Sequence, residues 1–177
     1  MTWDNVTYFL NSLNNATGCN TSTLTTGINR YLPINVPSGC FRLPTEAEWE
    51  YMARAGTNTK YSFGDDASKL GQYAWYLDNN IIAEISGTKE IGRKLKNPWS
   101  IFDVHGNVSE WLYDYYDSSY YSTGNQINPS GPITGTNRVI RGGHWEAPSF
   151  ELRSTSRSSF DPSLSHRTIG FRVLKVP

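Results

Sequence analysis

The chain has 177 residues, with 16 basic and 16 acidic side chains. Only 18% of the residues are charged and 14% are aromatic. This excludes a coiled coil, a helical bundle and a highly charged disordered chain. Zero net charge lacks the basic footprint of a nucleic-acid binder, so no nucleic-acid partner is expected. No apolar run reaches the ~18–20 residues of a membrane span.

Asn, Ser and Thr supply 50 residues, a mix that favours turns and strands over long helices. Charge is unevenly spread. Residues 1–137 carry 9 Lys/Arg and 13 Asp/Glu, and residues 138–177 carry 7 and 3. The simplest reading is that the late arginines pair with early carboxylates inside one fold. An anion-binding surface is the alternative.

Residues 2–17 read as an amphipathic helix. Val6, Phe9, Leu10 and Leu13 mark its buried stripe, Thr2 or Asp4 its cap and Gly18 its stop. Residues 45–55 form a second helix, with Thr45 and Glu48 at capping-box spacing. Trp49, Met52 and Ala53 are its buried stripe, and Gly56 ends it. Between the helices lies a Thr/Asn/Pro-rich loop bracketed by Cys19 and Cys40, the only cysteines. A disulfide there closes the loop at its neck, contributing about 3 kcal/mol on the chain-entropy account. Two reduced thiols are the alternative.

Beyond residue 57, aromatic-rich segments alternate with turn signals such as Asn97-Pro98 and Gly142-Gly143. Residues 117–137 are a polar Tyr/Ser/Gly/Asn loop, and residues 138–141 and 170–176 alternate as strands. His105 sits in a turn and reads as structural or solvent-exposed rather than catalytic. No secretory signal pattern opens the chain, while a disulfide points to an oxidising compartment, so location stays open.

Five ordered segments carry a family resemblance. They are Phe41-Arg-Leu-Pro-Thr-Glu-Ala-Glu-Trp-Glu50, Tyr73-Ala-Trp-Tyr76, Asn97-Pro-Trp-Ser-Ile-Phe-Asp-Val-His-Gly-Asn-Val-Ser-Glu-Trp111, Arg138-Val-Ile-Arg-Gly-Gly-His-Trp145 and Gly170-Phe-Arg-Val173. The chain resembles the formylglycine-generating-enzyme, or sulfatase-modifying factor, family. The resemblance implies an α+β fold of the C-type-lectin type. Two helices, short antiparallel strands and much irregular structure are expected, in one domain over residues 1–177. Residues 19–40 then look like an insertion whose ends lie close together, which supports the Cys19–Cys40 pairing. Trp3, Trp49, Trp75, Trp99, Trp111 and Trp145 sit in family-like motifs and read mostly as scaffold.

The sulfatase-activating enzymes of this family resemble copper oxidases that use two late cysteines. No cysteine follows Cys40 here, so formylglycine-generating activity is not expected. The related sulfoxide synthases need a histidine cluster on a separate helical domain, and this chain has three histidines. The resemblance also implies a candidate calcium site at Asp103, Gly106, Val108 and Glu110. An empty turn is the alternative, and no cofactor is required.

Residues 138–174 admit a sharper reading. Proteins diversified by retroelements are built on this fold. Their last segment resembles Arg141-Gly-Gly-His-Trp145, then a stretch of Asn-type template codons, then Ile169-Gly-Phe-Arg-Val-Leu174. Randomising the adenines of an AAY codon reaches most of the intervening residue types, though not Glu146 or Glu151. Read so, His144, Glu146, Pro148, Phe150, Thr155, Ser156, Ser158, Phe160, Asp161, Leu164, His166 and Arg167 form a ligand-binding face. Arg153, Arg157 and Arg172 are structural. Tyr113, Tyr115, Tyr116, Tyr120 and Tyr121 either border the face or pack a sheet edge. The expected function is non-catalytic binding of a protein or other macromolecule through a hypervariable surface. The alternative is a fixed-sequence family member.

Overall fold

The structure is a computed structural model that describes residues 1–19, 35–80 and 86–177. Most of the 19–40 insertion therefore lies outside the described residues.

Helix α1 spans Trp3–Ala16, opened by a capping box between Thr2 and Asn5. Its buried stripe is Trp3, Val6, Thr7, Leu10 and Asn14. Phe9 is instead exposed against Phe171, their ring centres 5.5 Å apart, and Leu13 is only half-buried. Asn14 takes the stripe's last position because its amide binds backbone. It donates to the Phe41 carbonyl at 2.9 Å and accepts from the Phe41 amide at 2.7 Å. That ties α1 to strand β1, Phe41–Arg42. The Cys19 and Cys40 sulfurs are joined, with Cα atoms 5.5 Å apart.

Helix α2 spans Glu46–Arg54, and Thr45 and Glu48 form its capping box. Glu48 also takes a two-pronged ion pair from Arg42, both contacts at 2.7 Å. Ala55 ends the helix in the left-handed conformation at φ 48°, one residue before Gly56. Two single-turn helices follow, α3 at Leu70–Tyr73 and α4 at Leu77–Asn80. Among the described residues, the expected pair of α-helices is thus a pair of longer ones with two short companions.

Strand β2 is Ser109–Tyr115, β3 is Arg138–Arg141, β4 is Ser158–Phe160 and β5 is Ile169–Phe171. They form one sheet in the order β4-β3-β2-β5. The β2–β3 and β3–β4 pairs are antiparallel, but β2 and β5 run parallel, which differs from the all-antiparallel expectation. The single strand expected at 170–176 is two. After β5 the chain leaves the sheet, and β6, Leu174–Lys175, pairs with β1.

The sheet is covered on both faces. Neighbouring strand residues point opposite ways, so Trp111 and Ile140 join Trp3, Val6 and Leu10 under α1. Leu112 and Val139 join Trp49 and Ala53 under α2. A third cluster, Tyr61, Leu70, Ala74, Tyr76, Ala147 and Leu152, packs away from the sheet and lies under the segment after β3. The scaffold reading holds for Trp3, Trp49, Trp111 and Trp145, which are buried. Trp99 is exposed and meets Tyr51 edge-on at 4.8 Å.

Candidate binding face

Strand β3 ends at Gly142-Gly143, with φ of 99° and 70°. A Cβ on Gly143 would stand 2.8 Å from Leu152, so only glycine fits this turn onto the third core cluster. From here to Ser154 buried anchors are interleaved with outward positions, and residues 155–167 include none that is buried. Trp145, Ala147, Leu152, Ser154, Thr168 and Ile169 are buried. None of the twelve expected face residues is. Phe150, Thr155, Ser158, Asp161, Leu164, His166 and Arg167 are exposed, and His144, Glu146, Pro148, Ser156 and Phe160 are half-buried. Phe150 and Leu164 leave 55% and 53% of their surface to solvent.

The backbone of this region is held by a residue that the sequence reading left without a role. Arg141 is wholly buried. It donates to the carbonyls of Ser154 at 2.8 Å, Thr155 at 3.1 Å and Ser156 at 2.6 Å, and pairs with the Glu50 carboxylate. Glu46, one turn earlier on α2, lies 3.7 Å from the Arg141 Nε and receives both prongs of Arg157 at 2.7 and 2.8 Å. The sequence offered only the general expectation that late arginines meet early carboxylates, since Glu50 lies 91 residues before Arg141.

Arg157 also donates to the Asp117 carbonyl at 3.1 Å, and its guanidinium lies 5.1 and 5.0 Å from the Tyr116 and Tyr121 rings. That contact sets Tyr116 and Tyr121 beside Arg157, whereas the Tyr113 and Tyr115 rings lie 5.9 and 3.6 Å from the Arg138 guanidinium, along the sheet. Arg172 pairs with Glu110 at 2.8 Å. Arg153 is exposed and lies beside the Tyr61 phenol, opposing the upward push that burial gives that hydroxyl. The late arginines Arg141, Arg157 and Arg172 do pair with early carboxylates.

Four of the twelve residues, His144, Phe150, Ser156 and Ser158, line one cleft of ≈ 400 Å³ together with Arg141, Glu151 and Arg157. Others meet beside it. Arg167 pairs with Glu146 at 2.9 Å and covers the Trp145 ring at 4.9 Å. The Phe160 and His166 rings are 5.9 Å apart. Burial holds His144 below the usual histidine range, against the pull of Glu146 and Glu151. Asp161 closes its own turn through Ser163, and the turn is pinned to α1 by the Trp3 amide on the Pro162 carbonyl at 3.1 Å.

The candidate calcium residues Asp103 and Glu110 line a second cavity. Glu110 is already committed there: it accepts from the Trp49 indole at 2.7 Å and from Arg172 at 2.8 and 3.0 Å. A calcium ion would have to displace a guanidinium from this carboxylate, so the residues as placed do not fit one. Among the described residues no three His, Cys, Asp or Glu side chains converge as metal ligands. Among them, too, no helix is long and apolar enough to cross a membrane. His105 is buried and neutral. It accepts from the Ser62 amide at 3.0 Å and contacts the Leu152 carbonyl at 2.8 Å, which makes it a prop for the 149–152 turn.

Residues 1–177 match the sulfatase-modifying factor enzyme 1-like domain. The chain belongs to the sulfatase-modifying factor family. Within that family it is 32% identical over 142 residues to the formylglycine-generating enzyme of Streptomyces coelicolor, 74% of this chain and 45% of that protein. It is 34% identical over 137 residues to serine/threonine-protein kinase pkn1 of Chlamydia pneumoniae, 76% of this chain and 21% of that protein. The chain thus spans less than half the length of these two curated relatives. Among solved structures, Treponema denticola variable protein 1 superposes with a TM-score of 0.86 at 28% identity, covering 100% of this chain and 70% of that one. PvdO from Pseudomonas aeruginosa superposes with a TM-score of 0.76 at 25% identity, covering 98% and 59%. These likenesses establish the C-type-lectin-like fold of this sulfatase-modifying factor family member.

Proposed function

We propose that this family member is a non-catalytic binder whose 138–174 region is diversified by a retroelement and displays a variable face to a macromolecular partner, a protein in the first instance. One observation carries the reading. All twelve expected face residues reach solvent, the buried anchors Trp145, Ala147, Leu152 and Ser154 are interleaved among the first of them, and Arg141 holds the backbone carbonyls of Ser154, Thr155 and Ser156. Such a surface tolerates change at the outward positions without loss of fold. Exposed aromatic, arginine and short polar side chains on rigid support also resemble an antibody-type paratope. The whole-chain likeness to a protein named for its variability supports the same reading. So does the lack of any cysteine after Cys40 to serve thiol or copper chemistry.

The test is deep sequencing of this gene across a population of source cells. Substitutions confined to codons 144–168, with Arg141-Gly-Gly and Gly170-Phe-Arg-Val constant, establish the reading. A uniform sequence overturns it. The 32% identity to a formylglycine-generating enzyme would then favour a fixed-sequence accessory module or an enzyme of other chemistry.

A further inference from the structure

Residues 91–102 read Ile-Gly-Arg-Lys-Leu-Lys-Asn-Pro-Trp-Ser-Ile-Phe. They hold three cations and no carboxylate, in a chain of zero net charge. They also leave large apolar side chains in solvent: Ile91 is 80% exposed, Trp99 44% and Phe102 39%. These groups form one connected patch. Ile91 and Phe102 line the same cavity as Ser100, the neighbour of Trp99. Trp99 in turn meets the exposed Tyr51 ring of α2. A contiguous apolar patch, unlike a single exposed side chain, marks an interaction surface.

The patch is held outward by its own backbone bonds. Buried Asn97 accepts from the Trp99 and Ile101 amides, both at 3.0 Å, and donates to the Met52 carbonyl of α2 at 2.8 Å. Trp99 therefore sits at the tip of a fixed turn. The Gly92 amide donates to Asp103 at 2.7 Å, which ties Ile91 beside Phe102. A surface fixed in advance loses little freedom on binding.

The charge beside the patch is positive. Arg93 is paired with Glu90. Lys94 donates to the neutral Gly71 carbonyl and lies over the Trp75 ring, and exposed Lys96 has no ion pair among the described residues. Two ammonium charges are thus left without a counter-charge. The carboxylates that follow, Asp103 and Glu110, face Arg172 instead. The sheet order β4-β3-β2-β5 sets this patch apart from the proposed face: Phe171 of β5 lines its cavity, whereas Arg141 of β3 and Ser158 of β4 line the first cleft.

We propose that this patch seats the protein on a bilayer containing anionic phospholipid. Ile91, Trp99 and Phe102 enter the boundary between headgroups and acyl chains, the level that tryptophan and tyrosine favour. Lys94 and Lys96 supply attraction to the negative surface. A bilayer meets both needs at once, a nonpolar medium for the rings and a dispersed negative charge for the lysines. Docking at the β5 edge leaves the face at the β3–β4 edge free, and it stands whether or not that face varies.

The experiment is co-sedimentation of the full chain with vesicles of phosphatidylcholine alone and of phosphatidylcholine and phosphatidylserine in equal parts. The anionic vesicles should bind at least about tenfold more tightly, the effect of two lysines near a charged surface, and the difference should shrink at high salt. Trp99→Ser should weaken binding to both compositions about tenfold or more. Lys96→Glu should weaken binding to the anionic vesicles alone. Both positions are exposed, so both variants should keep the parent's Tm within about 1–2 °C. Phe150→Ala, on the proposed face, should bind vesicles as the parent does. Failure to sediment with either composition overturns the proposal, as does equal binding to both. So does binding that survives Trp99→Ser but is lost in Phe150→Ala. Dimerisation that Trp99→Ser abolishes, without vesicle binding, would assign the patch to a second copy of the chain instead.

Discussion

Arg157 reaches back 111 residues to hold both carboxylate oxygens of Glu46, at 2.7 and 2.8 Å. The same carboxylate lies 3.7 Å from Arg141, whose other donors hold three successive carbonyls, Ser154 to Ser156. Glu46 is thus the point at which α2 fixes both ends of the segment from Ser154 to Arg157. Removing its charge leaves two largely buried guanidinium groups with less than they need. Breaking a buried pair from one side costs about 3–5 kcal/mol, and Arg157 keeps one-fifth of its side chain in solvent, so the lower end applies. Glu46→Gln should destabilise the fold by roughly 3 kcal/mol and lower Tm by roughly 6–12 °C. Hydrogen exchange should rise first at 154–158. A Tm within about 1 °C of the parent would mean that the pairings carry no net stability.

Anchor and face positions alternate within a few residues, which gives a sharp contrast. Leu152 is fully buried, and Leu152→Ala should cost about 2–5 kcal/mol in chemical denaturation. Phe150 and Leu164 are mostly exposed, and alanine at either should stay within about 0.5 kcal/mol. If Phe150→Ala proved as damaging as Leu152→Ala, the 149–152 turn would be core and the proposed face would shrink to its other members.

Much of this architecture was legible in the sequence, for local reasons. Both long helices announce themselves through caps at Thr2 and Thr45 and through their periodicity. Strand β3 was legible at its full length. Strand β2 was not, because its residues are buried from both sides and the pattern Ser-Glu-Trp-Leu-Tyr-Asp-Tyr shows no polar alternation. Its two carboxylates, Glu110 and Asp114, suggest a surface until their distant partners, Trp49, Arg172 and the Glu46 amide, are known. The outward positions between Gly143 and Thr168 were readable from the motif framing. The role of Arg141 was not, because it depends on a helix some 90 residues away.

The second cavity gives a prediction about metal dependence. Arg172 supplies the positive charge that Glu110 needs, so no cation is required for folding. Tm should be the same, within about 1 °C, in excess chelator and in millimolar calcium, since binding shifts stability only when a ligand prefers the native state. A calcium-dependent rise of several degrees would show that Arg172 swings out and that Asp103 and Glu110 take a metal.

The last prediction concerns pH and joins two buried groups with opposite signs. Asp114 is pushed up to about 7 by burial, with the Glu46 amide opposing and the charges of Glu46 and Glu48 adding. A raised carboxyl contributes stability that is fully present below its unfolded value of 3.8 and is lost as pH rises through about 7. His105 is held down to about 4 by burial, against its bond to the Leu152 carbonyl. Its contribution is present above its unfolded value of 6.5 and is lost as pH falls through about 4. Between about pH 4 and 6.5 the two slopes oppose each other, so the parent protein should show a nearly flat stability profile there. Asp114→Asn keeps an oxygen for the Glu46 amide and removes one slope. The variant should be more stable than the parent at pH 8, by on the order of 3 kcal/mol. It should also lose up to about 1.4 kcal/mol per unit as pH falls below 6.5, the slope of a single proton. Urea denaturation at half-unit intervals resolves both effects. A variant with the parent's profile would place the titrating groups elsewhere. NMR of the His105 ring, expected to carry its proton on Nδ1 at pH 6, reports separately whether that imidazole is neutral.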